Sequence, residues 1–263
     1  IAKRLVRFLA RYLYWRQLFQ ALHVRIYVDH NDWEPERIAL DEALAELGGI
    51  SVAYQRSDES LPSVHLASAT DVRFVFSPTA VPILRQSRSL VKHGVAVGYI
   101  HDHAFARVRG RARQLRQQLE RHGAQFIICF LGQSSSVDPT MGYPAAFHAE
   151  HYRWLFERLL AEPALGLILK PKKPLLLRKS LGALAPLLEE ALATGRCFLY
   201  EEGIATTPML PCEASQAADV TIGLMGAVAA LESALAGTPT LLLDREGWKD
   251  HPLYAFRLPA TIF

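Results

Sequence analysis

Short apolar runs recur along this chain, too continuous for half-exposed strands, and stretches of helical periodicity separate most of them. In the first half they read "HVRIYVDH", "ISVAYQ", "VRFVFS" and "VAVGYI"; in the second, "QFIICFLG", "LGLILK", "CFLYEE", "DVTIG" and "TLLLD". Between them lie helix candidates such as "EPERIALDEALAELGG", which ends at a glycine cap, "PILRQSRSLV", "AAFHAEHYRWLFERLLAEP", "LGALAPLLEEALATG" and "GAVAALESALAG". Strands buried on both faces and alternating with helices predict an α/β fold built on parallel sheets with helices on both faces.

The pattern restarts once, at "QFIICFLG". It therefore predicts two Rossmann-like α/β units, residues 1–122 and 123–263, with a seam near 121–125 and no low-complexity linker. The first unit is short for a complete domain. The chain starts at Ile1 rather than methionine and stops at Phe263 inside an apolar stretch, so it reads as part of a longer protein.

Half of the 263 residues are apolar, enough for a substantial core, and 29 basic against 26 acidic side chains give no overall signal for nucleic acid. The charge is unevenly placed. The first helix carries Lys3, Arg4, Arg7 and Arg11 around a stripe of Leu5, Phe8, Leu9 and Leu13. A second basic helix, 105–122, carries Arg107, Arg109, Arg111, Arg113, Arg116 and Arg121 around Val108, Ala112, Leu115 and Leu119. These two helices are either solvated faces or a peripheral contact with anionic membrane or an acidic polymer. Cys129, Cys197 and Cys212 are odd in number and widely spaced, which suits a reduced cytoplasmic protein rather than a disulfide framework or zinc site. No apolar run reaches the roughly 18 residues of a membrane-spanning helix, and no signal peptide opens the chain.

One side chain stands out. From Val220 to Leu243 the only ionisable group is Glu232, and a buried carboxylate needs a partner. Either ribose hydroxyls of a bound nucleotide donate to it, or it snorkels to solvent or pairs with a distant arginine. Gly226 and Ala227, at the start of the same helix, leave backbone N–H groups unobstructed for a phosphate, although close helix–sheet packing also calls for glycine. Lys170 ends a buried strand in "LILKPKKP", where it suits a diphosphate. Lys172 and Lys173 beyond it are equally well explained as a solvated turn. Ser134 and Ser135, in the loop after the strand 125–131, add hydroxyls near the same crevice. His101, Asp102 and His103 end the strand 95–100. They offer a general base or a plain loop, and a metal site would need further ligands that no credible spacing supplies.

Taken in order, these pieces resemble the two-domain GT-B glycosyltransferases, most closely the bacterial surface-polysaccharide transferases of the CDP-glycerol glycerophosphotransferase and Kdo-transferase type. The resemblance rests chiefly on "ADVTIGLMGAVAALESALAGTPTLLLD", through Asp219, Gly226, Glu232, Gly237 and Pro239. Looser matches are Lys170 and Pro171 in "KPKKP", Gly98 and Tyr99 in "VGYIHD", and Gln55 in "SVAYQRS", where Arg56 and Ser57 replace the family's His-Gly. The resemblance implies a metal-independent enzyme without a resident cofactor, whose C-terminal domain binds a nucleotide-sugar co-substrate. Glu232 would meet the ribose, the N–H groups near Gly226 and Ala227 the phosphates, and Lys170 the leaving charge. The acceptor, a surface polysaccharide or glycolipid, would lie on the N-terminal side near Gln55 and Arg56.

Both family histidines are missing, so the base falls to His101, Asp102, His103, Asp58 or Glu59. The same losses favour a sugar transferase over a glycerophosphate transferase. Two alternatives stand beside this expectation: a nucleotide-sugar 2-epimerase of the same fold, and a non-catalytic nucleotide-binding module or partner subunit.

Overall fold

The computed structural model describes residues 2–30, 36–133, 145–201, 210–244, 247 and 249–256. Its contacts divide the chain into two units, Ile1–Ile100 and His101–Phe263.

In the first unit four parallel strands, β1 (Ile26–Asp29), β2 (Ile50–Tyr54), β3 (Val72–Val75) and β4 (His93–Ala96), lie side by side in sequence order. Helices α1 (Ala2–Ala21) and α2 (Glu36–Glu46) pack against each other, with Phe19, Leu40, Leu44 and Tyr27 forming a small core. Helix α3 (Ala80–Gln86) packs through Ala80 and Leu84 on Val75. It stops soon after Gln86, where Arg88 turns left-handed at φ 62°, well short of the predicted helix to residue 91. Likewise β4 ends at Ala96 instead of residue 100, and Gly98 at φ 81° breaks the extended chain. The opposite side of this sheet carries Ile26, Val28, Ile50 and Val95, which are exposed.

Two buried ionic links tie this unit together. Glu59 accepts from Arg73 through both carboxylate oxygens at 2.8 Å, with both side chains almost fully buried. Arg37 donates to Asp41 at 2.8 Å one helical turn away. Burial pulls the Arg73 pKa down to about 10.

The second unit begins with helix α4 (His103–Arg121). The sequence assigns this helix to the first domain, with the seam after it. Its apolar stripe, Val108, Ala112, Leu115 and Leu119, is indeed buried, and Ala112, Leu115 and Leu119 lie in the core of the second sheet beside Ile127, Cys129 and Ala214. An amphipathic helix shows which face is buried and not which sheet receives it. Two of its arginines are also committed there. Arg111 donates to Glu213 at 2.6 and 2.9 Å, and Arg116 to Asp219 at 3.0 and 3.3 Å.

Five parallel strands follow: β5 (Phe126–Phe130), β6 (Leu165–Leu169), β7 (Cys197–Leu199), β8 (Val220–Leu224) and β9 (Thr240–Leu243), arranged β7-β6-β5-β8-β9. One face is covered by α5 (Ala145–Ala161), α6 (Pro174–Leu181) and α7 (Ala185–Ala193), with Phe130, Phe156, Leu159 and Leu188 at the centre of that core. The other face carries α4, α8 (Pro211–Gln216) and α9 (Val228–Leu235). Both sheets are thus parallel and flanked by helices, on both faces in the second unit and, among the described residues, on one face in the first.

Candidate functional site

The strand order of the second sheet locates the crevice. From β5 the chain moves outward to β6 and β7, then returns to place β8 and β9 on the other side of β5. Connections leave the carboxyl ends of β5 and β8 in opposite directions, and in open parallel sheets ligands bind at such a switch point.

The residues beyond these strand ends are held closely. Gly132 N–H donates to the Lys170 carbonyl at 3.2 Å, and Lys172 N–H donates back to Gly132 at 2.9 Å, so the segments after β5 and β6 run together past the sheet. A side chain on Gly132 would collide with the Tyr152 hydroxyl of α5. Two glycines at β8 do different jobs. Gly223 lets α9 approach the strand, since a Cβ there would lie 2.9 Å from that of Ala230. Gly226 makes the turn at φ 77° and faces open space. Ala227, extended at φ −90° and ψ 121°, then caps α9 without any side-chain hydrogen bond. The first turn of α9 therefore presents backbone N–H groups and the positive end of its dipole at the switch point, with no side-chain cap in the way.

Glu232, one turn further along α9, is only 3 % exposed. It does not snorkel to solvent. Its Oε1 accepts the backbone N–H of Cys212 at 2.8 Å, in the first turn of α8. Beside it Glu213 is buried and held by Arg111. Lys170 lies half-buried with its ammonium 5.9 Å over the Tyr200 ring. Burial pulls the Lys170 pKa below its ordinary value, while Cys129, Glu232 and Glu213 pull the other way. The same neighbourhood pushes the Tyr200 hydroxyl up, through burial first and then Glu213. It raises the Cys212 thiol as well, through burial and then Glu232. Burial lifts Cys129 and Cys197 to about 12, so these two are inert thiols at neutral pH. The cluster thus gathers one desolvated ammonium and two carboxylates near the carboxyl end of the sheet.

Other expected residues fare differently. Gln55 is buried and its amide is engaged on both sides, donating to the Ser57 carbonyl and accepting from Phe76 N–H, each at 2.8 Å. It is a clamp across the ends of β2 and β3, which removes the basis for giving it an acceptor contact. Arg56 beside it is exposed. Glu59 is bound to Arg73 and Asp58 accepts from the Ser60 hydroxyl, which removes Glu59 as a candidate base. His101, Asp102 and His103 are exposed around the start of α4, with the two imidazoles 6.4 Å apart. Ser134 and Ser135 lie outside the described residues. Among the described residues no three His, Cys, Asp or Glu side chains converge to hold a metal ion.

The structure also adds residues that sequence analysis passed over. His148, His151 and Tyr152 lie on α5, the next described helix after the switch-point strand β5. His148 is buried and shares a small cavity of about 40 Å³ with Gln133, Lys173 and Ser180. His151 borders a larger, mostly apolar cavity of about 340 Å³ with Phe130, Trp154, Ile222 and Leu243. The signal was present as polar residues spaced three and four apart in "FHAEHYRW", just after the first strand of the unit.

No family model matches this chain, and no curated protein does. Solved structures do match. A chain assigned as a UDP-N-acetylglucosamine 2-epimerase from Listeria monocytogenes aligns with a TM-score of 0.51 at 14% identity, over 94% of this chain and 64% of that one. An α,α-trehalose 6-phosphate synthase from Burkholderia multivorans aligns with a TM-score of 0.45 at 15% identity, over 87% and 59%. An α,α-trehalose-phosphate synthase (UDP-forming) from Burkholderia vietnamiensis gives 0.47 at 14%, over 90% and 61%. The chain spans less than two thirds of the length of each. At such identities the likeness is one of fold, and the fold is two Rossmann-like α/β units of the GT-B kind.

Proposed function

We propose that this chain binds a nucleotide-activated sugar in its second unit and belongs to a metal-independent glycosyltransferase of the surface-polysaccharide type that its motifs resemble. The observation that carries the reading is the start of α9 at the switch point. There Gly226 turns at φ 77°, no side chain caps the helix, and a side chain on Gly226 would meet nothing within 4 Å. A diphosphate placed there accepts hydrogen bonds from the first-turn N–H groups and meets the helix dipole. Lys170, whose ammonium is disfavoured by burial, gains a counter-charge when the diphosphate arrives. Glu232, whose Oε1 takes the Cys212 N–H, is the group this reading assigns to the ribose hydroxyls.

In the transfer step the acceptor hydroxyl loses its proton to a base drawn from His101, Asp102 and His103. Its oxygen bonds to the anomeric carbon, and the electron pair of the breaking bond leaves with the nucleotide phosphate. Lys170 and the α9 N–H groups stabilise the charge that grows on that phosphate. The acceptor in this reading is a surface polysaccharide or glycolipid.

A second reading, nucleotide-sugar 2-epimerase, is favoured by one finding: the match with the higher TM-score above is assigned that activity. Both readings require the same donor site. Thermal shift against UDP-, CDP- and CMP-linked sugars tests that site, with an expected stabilisation of about 2.7 kcal/mol at ligand near 100 times its dissociation constant. Product analysis then separates them: transfer releases nucleotide and lengthens an acceptor, while epimerisation returns an isomeric sugar without any acceptor. Failure of the whole panel to stabilise the fold would remove the donor site and both readings with it.

A further inference from the structure

Helix α4 divides its arginines between two uses. Arg111 and Arg116 are engaged inside the unit, by Glu213 and Asp219. Arg109 and Arg113, one turn apart, are exposed, and among the described residues no carboxylate pairs with either. Arg113 Nε donates to the Arg109 carbonyl at 3.4 Å, which folds its side chain back over the turn that carries Arg109. Like charges at this spacing are mutually destabilising, and an anion between them relieves both.

Both arginines line one cleft. Its volume is about 540 Å³, against about 340 Å³ for the cavity beside His151, and ligand sites commonly hold about 300–1,000 Å³. Gln216, Ala218, Gly237 and Thr238 lie in its wall. These residues follow α8 and α9 and precede β8 and β9, so the cleft lies at the amino end of the sheet, away from the switch point. Gly237 turns at φ 93°, and a Cβ there would meet nothing within 4 Å. The wall is rich in acceptors. Gln216 Nε2 donates to the Phe105 carbonyl and the Thr238 hydroxyl to that of Ser215, each at 3.1 Å, which leaves both side chains oxygen lone pairs to accept through. Helices α8 and α9 also end here, and the last carbonyls of a helix have no intrahelical donor.

We propose that this cleft binds an acidic saccharide, with Arg109 and Arg113 taking its carboxylate and the wall accepting from its ring hydroxyls. The guanidinium fork matches a carboxylate through two parallel hydrogen bonds. A bare inorganic anion would leave the acceptors unused. The carboxyl ends of α8 and α9, each with a partial negative charge, also disfavour a ligand that is anionic throughout. Hydroxyls toward the helix ends and an acid toward the arginines satisfy both halves of the cleft. The choice of a saccharide rests on the carbohydrate reading above, and the cleft then holds an acidic polymer at a distance from the donor.

Isothermal titration of the 263-residue chain with trigalacturonate, maltotriose and inorganic phosphate tests it. Trigalacturonate is expected to bind, and the other two to bind about tenfold more weakly or worse. Arg109→Gln/Arg113→Gln should keep the thermal melt of the parent and lose about tenfold or more of the affinity, as loss of hydrogen bonds to a charged group implies. Arg107→Gln/Arg121→Gln removes the same charge from exposed positions of α4 outside the cleft lining and should leave the affinity unchanged. No binding of trigalacturonate, equal losses in the two variants, or equal binding of maltotriose or phosphate overturns the proposal. So does displacement of trigalacturonate by UDP, CDP or CMP, which would place it at the switch point. Failure of the donor site reads differently: a chain that takes none of these nucleotides yet holds trigalacturonate through Arg109 and Arg113 contradicts the transferase reading and supports the cleft.

Discussion

Glu232 and Glu59 are both buried carboxylates, yet they answer to different partners, and substitutions separate the two cases. Glutamine at 232 keeps an oxygen for the Cys212 N–H while it removes the charge and turns the second oxygen into an amide NH2, so the fold should change by about 1 kcal/mol. Alanine at 232 strands that buried N–H and should cost about 1–3 kcal/mol. Urea unfolding of the two variants checks the contrast, and equal losses would mean the Cys212 bond is not what holds the side chain. Glu59 faces the guanidinium of Arg73, with both nearly fully buried. Glu59→Gln leaves a buried cation short of its counter-charge and should destabilise the first unit by about 3–5 kcal/mol. The presence of a lone carboxylate among small apolar residues was legible at 232. Its protein partner was not, because the Cys212 N–H lies twenty positions away and belongs to a backbone that any sequence would possess.

At the scale of elements, two aspartates fasten strands to their neighbours. Asp219, which opens β8, takes Arg116 from α4 and the Ile127 N–H of β5 at 2.7 Å. It therefore joins three elements of the second unit. Asp219→Ala should cost about 1–3 kcal/mol and speed amide exchange at the start of β5 before that of β7.

Asp71, which precedes β3, accepts the Ser51 N–H at 2.8 Å and meets Lys92 at 2.5 Å. Burial works against its ionisation, but the Lys92 ammonium and the Ser51 hydrogen bonds outweigh it, and its pKa lies below the ordinary value. A folded pKa below the unfolded one stabilises the protein above the unfolded value, near pH 4, and that stability is lost as pH falls through the folded pKa. Asp71→Asn should accordingly flatten the acid side of the stability profile and leave the alkaline side unchanged, which thermal melts between pH 3 and 9 would reveal.

For the whole molecule, the alternation of apolar runs with helices was enough to predict two parallel-sheet units. The order β7-β6-β5-β8-β9 was not readable, because pairing partners are set by packing between distant segments. Helix α4 went to the wrong side of the seam for the same reason. Its stripe is complete, but nothing in "FARVRGRARQLRQQLERHG" says that Ile127 and Ala214 receive it. Of the expected site, Glu232, Gly226, Ala227 and Lys170 lie in one unit toward the carboxyl end of one sheet, which their strand-end positions made legible. Gln55 and Glu59 looked available only because Phe76 and Arg73, which hold them, are well separated in sequence. If a nucleotide occupies the switch point, hydrogen exchange should slow in β5, β8 and α9 on adding it, while β1–β4 stay unchanged. Slowing confined to the first unit would place the ligand elsewhere.

Isothermal titration of UDP, CDP and CMP into the wild-type chain and into Lys170→Met tests most directly whether the second unit takes a nucleotide phosphate. The expected result is binding of at least one nucleotide by the wild type. The folded methionine variant should bind it about tenfold to a hundredfold more weakly, as loss of a charged hydrogen-bond partner implies. Equal affinity in both proteins, or no binding of any of the three by the wild type, would contradict it.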